Sequence, residues 1–227
     1  MSRIYVPTTG VENWQALLAD PVKHWKTGYS AKSLAYSWEE AQGFPAEIKE
    51  LFASAPEQGL KDIELLLAIP EHKVPLPGGS TQSQNDVFVL GKANGQLVSI
   101  AIEGKVSEPF GPTVSEWIAG GSSGKHERLG FLKEVLGIAG EIDPAVRYQL
   151  LHRTASAIIE AKRFNATKAV MVVHSFSQTS EWFEDYMSFL KLFGVVAQVG
   201  ELVGVGVRDG IELYLGWVEG AERYLGK

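Results

Sequence analysis

Asp86, Glu103 and Lys105 stand in the pattern D-x16-E-x-K, two carboxylates and one ammonium. Two carboxylates held side by side are hard-oxygen ligands for Mg²⁺ or Mn²⁺; Mg²⁺ takes one or two protein carboxylates and keeps several waters. A lysine beside them can position a metal-bound water or stabilise charge developing on a phosphate. The spacing by itself is a weak signal. It gains weight only if the chain folds so that residues 86 and 103 meet.

The elements that would bring them together lie between them. The stretch "DVFVLGKANGQLVSIAIEGKV" gives two apolar runs joined at Asn94-Gly95, a dipeptide suited to the positive φ of a tight hairpin turn. Asp86 lies eight positions before Asn94 and Glu103 eight after Gly95, so hairpin pairing delivers both to one end of a sheet. Side chains alternate across a strand. Ser99, Ala101, Glu103 and Lys105 therefore share one face, and Ile100, Ile102, Gly104 and Val106 the other. The bulky face belongs to the core. The charged face must meet water, its own partners or a ligand, because unpaired buried charge is costly. The plain alternative is a salt bridge at a solvated sheet end.

Around this hairpin the chain reads as a mixed α/β domain with one sheet flanked by helices. Residues 1–57 look helical, in "GVENWQALLAD", "SAKSLAYSWEEAQG" and "FPAEIKELFASA". "LKDIELLLAIPEHKVPL" reads as a first strand. Residues 107–142 form a polar, glycine-rich connection with short helical pieces. A long helix is expected from Pro144 to about Phe164, with Asp143 as its N-cap. A strand in "ATKAVMVVHSF", an amphipathic helix in "SEWFEDYMSFLKLFG" and a hairpin around Asp209-Gly210 complete the order.

On these residues the sequence resembles the PD-(D/E)xK phosphodiesterase superfamily, the restriction-endonuclease-like fold, whose core runs helix, three-stranded meander, helix, strand. Asp86 in "QNDVFV" matches the acid of the second strand, and Glu103-Gly104-Lys105 in "IEGKV" the acid-x-lysine of the third. Asn85 stands where the motif's name has proline. The resemblance covers about residues 30–176 within a single domain of 1–227, leaving the helix and hairpin of 180–220 as an extension. It implies that Asp86, Glu103 and the backbone carbonyl of Gly104 bind the metal and that Lys105 positions the attacking water. Gln149 in "RYQLLHRTAS" looks like a glutamine that some branches carry beside the metal. Glu39 or Glu40 is a candidate for an acid that some add from the first helix, with Glu39 preferred. Nuclease members often act as homodimers.

Other motifs carry less. "GGSSG", Gly120–Gly124, satisfies G-x-S-x-G with Ser122 as nucleophile, but that elbow needs an apolar strand before it, and "TVSEWIA" has helical spacing instead. Lys125, His126 and Arg128 form a local basic patch in what reads as a flexible loop, a place to hold a phosphate backbone. His152 and Arg153 follow Gln149 on its helix face and extend the candidate substrate contacts. The remaining histidines show no metal-ligand spacing. Trp182, Phe183, Tyr186, Phe189 and Phe193 recur at helical spacing and read as core.

Composition limits the choices. A formal net charge of −6 over 227 residues excludes attachment to nucleic acid by a general basic field, so such contact must be local. The absence of cysteine removes thiol nucleophiles and zinc–thiolate sites. No apolar run approaches a membrane span, and the N-terminus lacks a secretory signal pattern, so the expected place is the cytoplasm with no membrane partner. The expected activity is Mg²⁺- or Mn²⁺-dependent hydrolysis of nucleic acid, with DNA the expected substrate. The alternative is a catalytically inactive binding or regulatory module that keeps the nuclease fold.

Overall fold

Asn94 (φ 48°) and Gly95 (φ 77°) both adopt the left-handed conformation that a two-residue hairpin turn demands. In the computed structural model, which describes residues 10–55 and 58–227, that turn sets the register of the central hairpin. Strand β1 (Glu64–Val74) pairs antiparallel with β2 (Ser83–Ala93), and β2 pairs antiparallel with β3 (Gln96–Lys105). Beyond β3 lies β4 (Lys168–Ser175), parallel to it. Two C-terminal strands, β5 (Leu202–Arg208) and β6 (Ile211–Glu219), extend the same sheet, giving the order β1-β2-β3-β4-β6-β5. The architecture is mixed α/β, with a six-stranded open sheet. The helical expectation for residues 1–9 and 56–57 lies outside the described residues.

Helices cover both faces. On one side pack α2 (Ser30–Ala41) and α3 (Ala46–Ala53), preceded by the single turn α1 (Pro21–His24). On the other lie α4 (Val114–Ile118), α5 (Ser123–Leu136), α6 (Tyr148–Arg163) and α7 (Phe183–Leu190). Strand alternation divides the core accordingly. Val98, Ile100 and Ile102 of β3 join Leu34, Trp38 and Phe52 in one cluster, while Ala101 joins Leu151, Ala155 and Ile158 of α6 in the other. Tyr186 and Phe189 are buried in that second cluster, and Trp182, Phe183 and Phe193 pack against it, so the aromatic stripe is core.

Three expectations need correction. The face of β3 that carries Glu103 and Lys105 is not solvated: α6 lies across it, Ser99 Oγ donates to the Ala157 carbonyl at 2.8 Å, and Glu103 and Lys105 are 1% and 5% exposed. The long helix begins at Tyr148 rather than Pro144. The carbonyls of Pro144 and Val146 accept instead from Ser115 and Val114, the first amides of α4, and Thr113 and Arg147 form a β-bridge. Those contacts hold residues 144–147 out of the helix despite the Asp143-Pro144 start signal. Lastly, Lys125, His126 and Arg128 sit in the opening turns of α5, not in a loop. Ser122 is the N-cap of that helix, its hydroxyl accepting from the Lys125 amide, and a helix rather than a strand precedes it, which removes the nucleophile-elbow geometry. No helix among the described residues is long and apolar enough to cross a membrane.

Candidate active site in the carboxylate cleft

The β2–β3 ladder runs from Ala93↔Gln96 to Val87↔Ile102 and stops there. One step further, Asp86 and Glu103 stand opposite each other where the two strands part. The amide of Gly104, no longer offered a ladder partner on β2, donates to Asp86 Oδ2 at 2.7 Å. A side chain at position 104 would crowd this contact, since its Cβ would lie 3.2 Å from Asp86 Oδ2 and 3.3 Å from Leu34 Cδ2. The glycine between the acid and the lysine thus lets the Asp86 carboxylate fold over the end of β3.

Glu103 is held by three donors from two elements. Lys105 Nζ donates to its Oε1 at 2.6 Å, Gln149 Nε2 to the same oxygen at 2.7 Å, and Arg153 Nε to Oε2 at 2.5 Å. Gln149 and Arg153 lie one turn apart on α6. Arg153 is fixed in turn: its Nη1 donates to Ser83 Oγ at 3.3 Å, and Ser83 Oγ shares a 2.8 Å hydrogen bond with His152 Nδ1. Glu103, Lys105, Gln149, His152 and Arg153 open into a cleft of about 810 Å³ that is also lined by Lys23, His24 and Tyr29 of the α1–α2 segment.

Burial and like charge pull the acids apart. Burial would raise Glu103, but Arg153 and Lys105 outweigh it and hold the carboxyl below its usual range. At Asp86, burial, then the Glu103 charge, push the carboxyl up to about 7; Arg153, Lys105 and the Gly104 amide also favour the carboxylate, but not enough. Burial also drives His152 well below the usual imidazole range, with Arg153 adding to the effect, so its ring is neutral at pH 7.

A third carboxylate, Glu71, shares the cleft and is absent from the sequence expectations. The pairs Pro70↔Val87 and His72↔Asn85 bracket it opposite Asp86, which places Glu71, Asp86 and Glu103 in a row across three strands. Its backbone is left-handed (φ 53°) in mid-strand, a strained setting for a residue with a side chain. Gln84 Nε2 donates to its Oε2 at 2.6 Å, while burial, followed by the Asp86 charge, raises it to about 8. Next to Asp86, Asn85 is fully buried, and neither polar atom of its side chain has a hydrogen-bond partner in the protein.

The remaining expected residues divide. Asp86, Glu103, Gly104, Lys105, Gln149, His152 and Arg153 converge on the cleft, although Arg153 spends its guanidinium on Glu103 and Ser83. Glu39 does not line it. That side chain lies nine residues along α2 from Ser30, which does line the cleft, and accepts from Trp14 Nε1 at 2.8 Å. Lys125 and Arg128 line a smaller neighbouring pocket. Arg128 is largely committed to backbone, donating to the carbonyls of Leu76, Pro77 and Gly79. Among the described residues, no group of three or more His, Asp or Glu side chains is gathered closely enough to hold a metal ion.

A family model, described as a domain of unknown function (DUF6946), matches residues 7–222. The chain belongs to the DUF6946 family. The match spans every strand and α-helix among the described residues, so the cleft lies within the family domain. No curated protein and no solved structure matches it.

Proposed function

We propose that this DUF6946 chain is a metal-dependent phosphodiesterase with a restriction-endonuclease-like core, hydrolysing DNA. One observation carries the reading: Asp86 and Glu103 face each other where β2 and β3 part, with Lys105 Nζ 2.6 Å from Glu103, inside a single cleft. The order helix, antiparallel three-strand meander, helix, parallel strand supports the finer fold assignment, with the acids on the second and third strands.

The donor set fits Mg²⁺ or Mn²⁺. Two carboxylates without sulfur or imidazole partners suit a hard cation that keeps much of its water, and the Asp86–Glu103 repulsion is what such an ion would relieve. The carbonyl of Gly104, next to Glu103 in the chain, is a third candidate donor. Bound there, the ion would supply an activated water and offset charge on the phosphate. The protein's own part is orientation. Lys105 holds the attacking water and screens the phosphate oxygen, Gln149 fixes Glu103 Oε1, and Arg153 fixes Oε2. Incubation with single-stranded, duplex and branched DNA plus Mg²⁺ or Mn²⁺ tests the reading. The expected result is cleavage lost in Lys105→Ala; cleavage that survives that change, or none on any substrate, overturns it.

A second reading, a binding module that keeps the fold without turnover, has its own support. Both oxygens of Glu103 already accept from donors, two of them cationic, which supply the positive charge a metal would bring. Calorimetric titration with Mn²⁺ separates the two, since a module of this kind takes up no metal at millimolar concentration.

A further inference from the structure

Beside the carboxylate cleft lies a second cavity of about 230 Å³, walled by Trp117, Lys125, Arg128, Tyr148, His152 and the Gly78-Gly79 turn. It shares Thr81, Gln82, Tyr148 and His152 with the cleft, so the two are neighbouring compartments separated by common side chains. Its character differs from that of the cleft. The Trp117 and Tyr148 rings are stacked at 3.9 Å with only 8° between their planes, and His152 follows at 4.9 Å from Tyr148. Lys125 is pinned to the Trp117 carbonyl at 2.6 Å, and Arg128 is pinned to the carbonyls of the Leu76–Gly79 segment. Flat apolar walls are thereby combined with fixed positive charge.

One polar group is left over. The Tyr148 hydroxyl is buried with the Arg128 guanidinium beside it but in no well-formed hydrogen bond within the protein, and buried polar atoms rarely lack full partners. A hydrogen-bonded chain also links the pocket to the acids: His152 Nδ1 to Ser83 Oγ, Ser83 Oγ to Arg153 Nη1, and Arg153 Nε to Glu103 Oε2. Whatever fills the pocket therefore presses on the group that orients Glu103.

We propose that this pocket receives one unpaired nucleobase of the strand whose phosphate lies at Asp86 and Glu103. The inference rests on the phosphodiesterase reading and narrows it to substrates with an unpaired nucleotide next to the engaged phosphate, whether single strands, frayed ends or flaps. The space suits a single planar ring system and excludes a base pair. The Trp117–Tyr148 stack is closed between its own rings and offers the base a single aromatic ledge, and the Tyr148 hydroxyl offers a hydrogen bond to its edge.

The test is binding under cleavage-silent conditions, with Ca²⁺ in place of Mg²⁺. A short single strand carrying one abasic site is stepped through every position, and a 2-aminopurine probe reports stacking. The expected result is that one abasic position weakens binding about tenfold while the others change little, and that 2-aminopurine at that position is quenched. Trp117→Ala should abolish the position dependence, and Trp117→Phe should keep it. Equal effects at every position, equal quenching in a fully paired duplex, or no strand binding at all would overturn the pocket assignment. A persistent position effect without Mg²⁺-dependent cleavage would instead retain the pocket and remove the hydrolytic reading.

Discussion

Helix α6 carries one buried carboxylate and covers another, and their surroundings differ. Glu103 and Glu160 are each 1% exposed. Glu160, on α6 itself, pairs with His72 Nε2 at 3.3 Å and with Arg163 at 3.4 Å, next to the stacked rings of Phe88 and Phe164, and it lines neither of the two cavities described here. Burial raises it, the His72 hydrogen bond and charge outweigh burial, and its carboxyl settles low. Glu103 has two cations of its own, yet Asp86 and Glu71 crowd the same cleft and are pushed to about 7 and about 8. A buried ion pair is common structural equipment. An excess of acids over partners, facing a cleft, is a better mark of a site that awaits a cation.

The comparison can be broken most sharply through stability. Glu103→Gln leaves Arg153 and Lys105 buried against a neutral amide and should cost about 3–5 kcal/mol, whereas Glu160→Gln keeps a hydrogen-bonding side chain beside His72 and should cost about 1–3 kcal/mol. Urea denaturation measures both, and equal losses would erase the distinction. In cleavage assays Lys105→Ala should lower the rate about a hundredfold or more, while Glu160→Gln should leave it unchanged. A smaller effect concerns pH. Asp86 is raised in the folded protein, so between about 4 and 7 the unfolded chain ionises first and the metal-free fold loses stability as pH climbs. Asp86→Asn should flatten that slope and stabilise the protein by about 1–2 kcal/mol at pH 8, seen as a melting temperature higher by roughly 2–6 °C. Adding Mn²⁺ should narrow the gap by stabilising only the unsubstituted protein. The smallest change compares two glycines. Gly95→Ala has open space around it and should cost only about 1 kcal/mol through its positive φ, with activity retained. Gly104→Ala should leave the hairpin folded yet depress cleavage, because its Cβ meets Asp86.

The parts of this site that could be read from the sequence are those fixed by local chemistry. Asn94-Gly95 determines its own turn geometry, and counting outward from it finds Asp86 opposite Glu103. Gln149 follows from the family resemblance, and Arg153 from its helical spacing to Gln149. Glu71 could not be found this way: its place depends on the β1–β2 register, set across a long connection, and on a left-handed backbone in mid-strand. The burial of Glu103 and Lys105 was hidden for a related reason. A charged face on an alternating strand looks solvated until α6 lies across it with Arg153 in the right place. The Asp143-Pro144 helix start misled because tertiary contacts from Thr113, Val114 and Ser115 outweighed a sound local signal.

The parting of β2 from β3 at Val87↔Ile102 has a use for the experimenter. Beyond it, the Gly104 amide proton is bound by one carboxylate oxygen rather than by a neighbouring strand. Its nuclear magnetic resonance shift and its solvent-exchange rate should therefore follow the charge on Asp86 directly. A single backbone resonance becomes a gauge of proton loss and ion uptake, readable before any substrate is known.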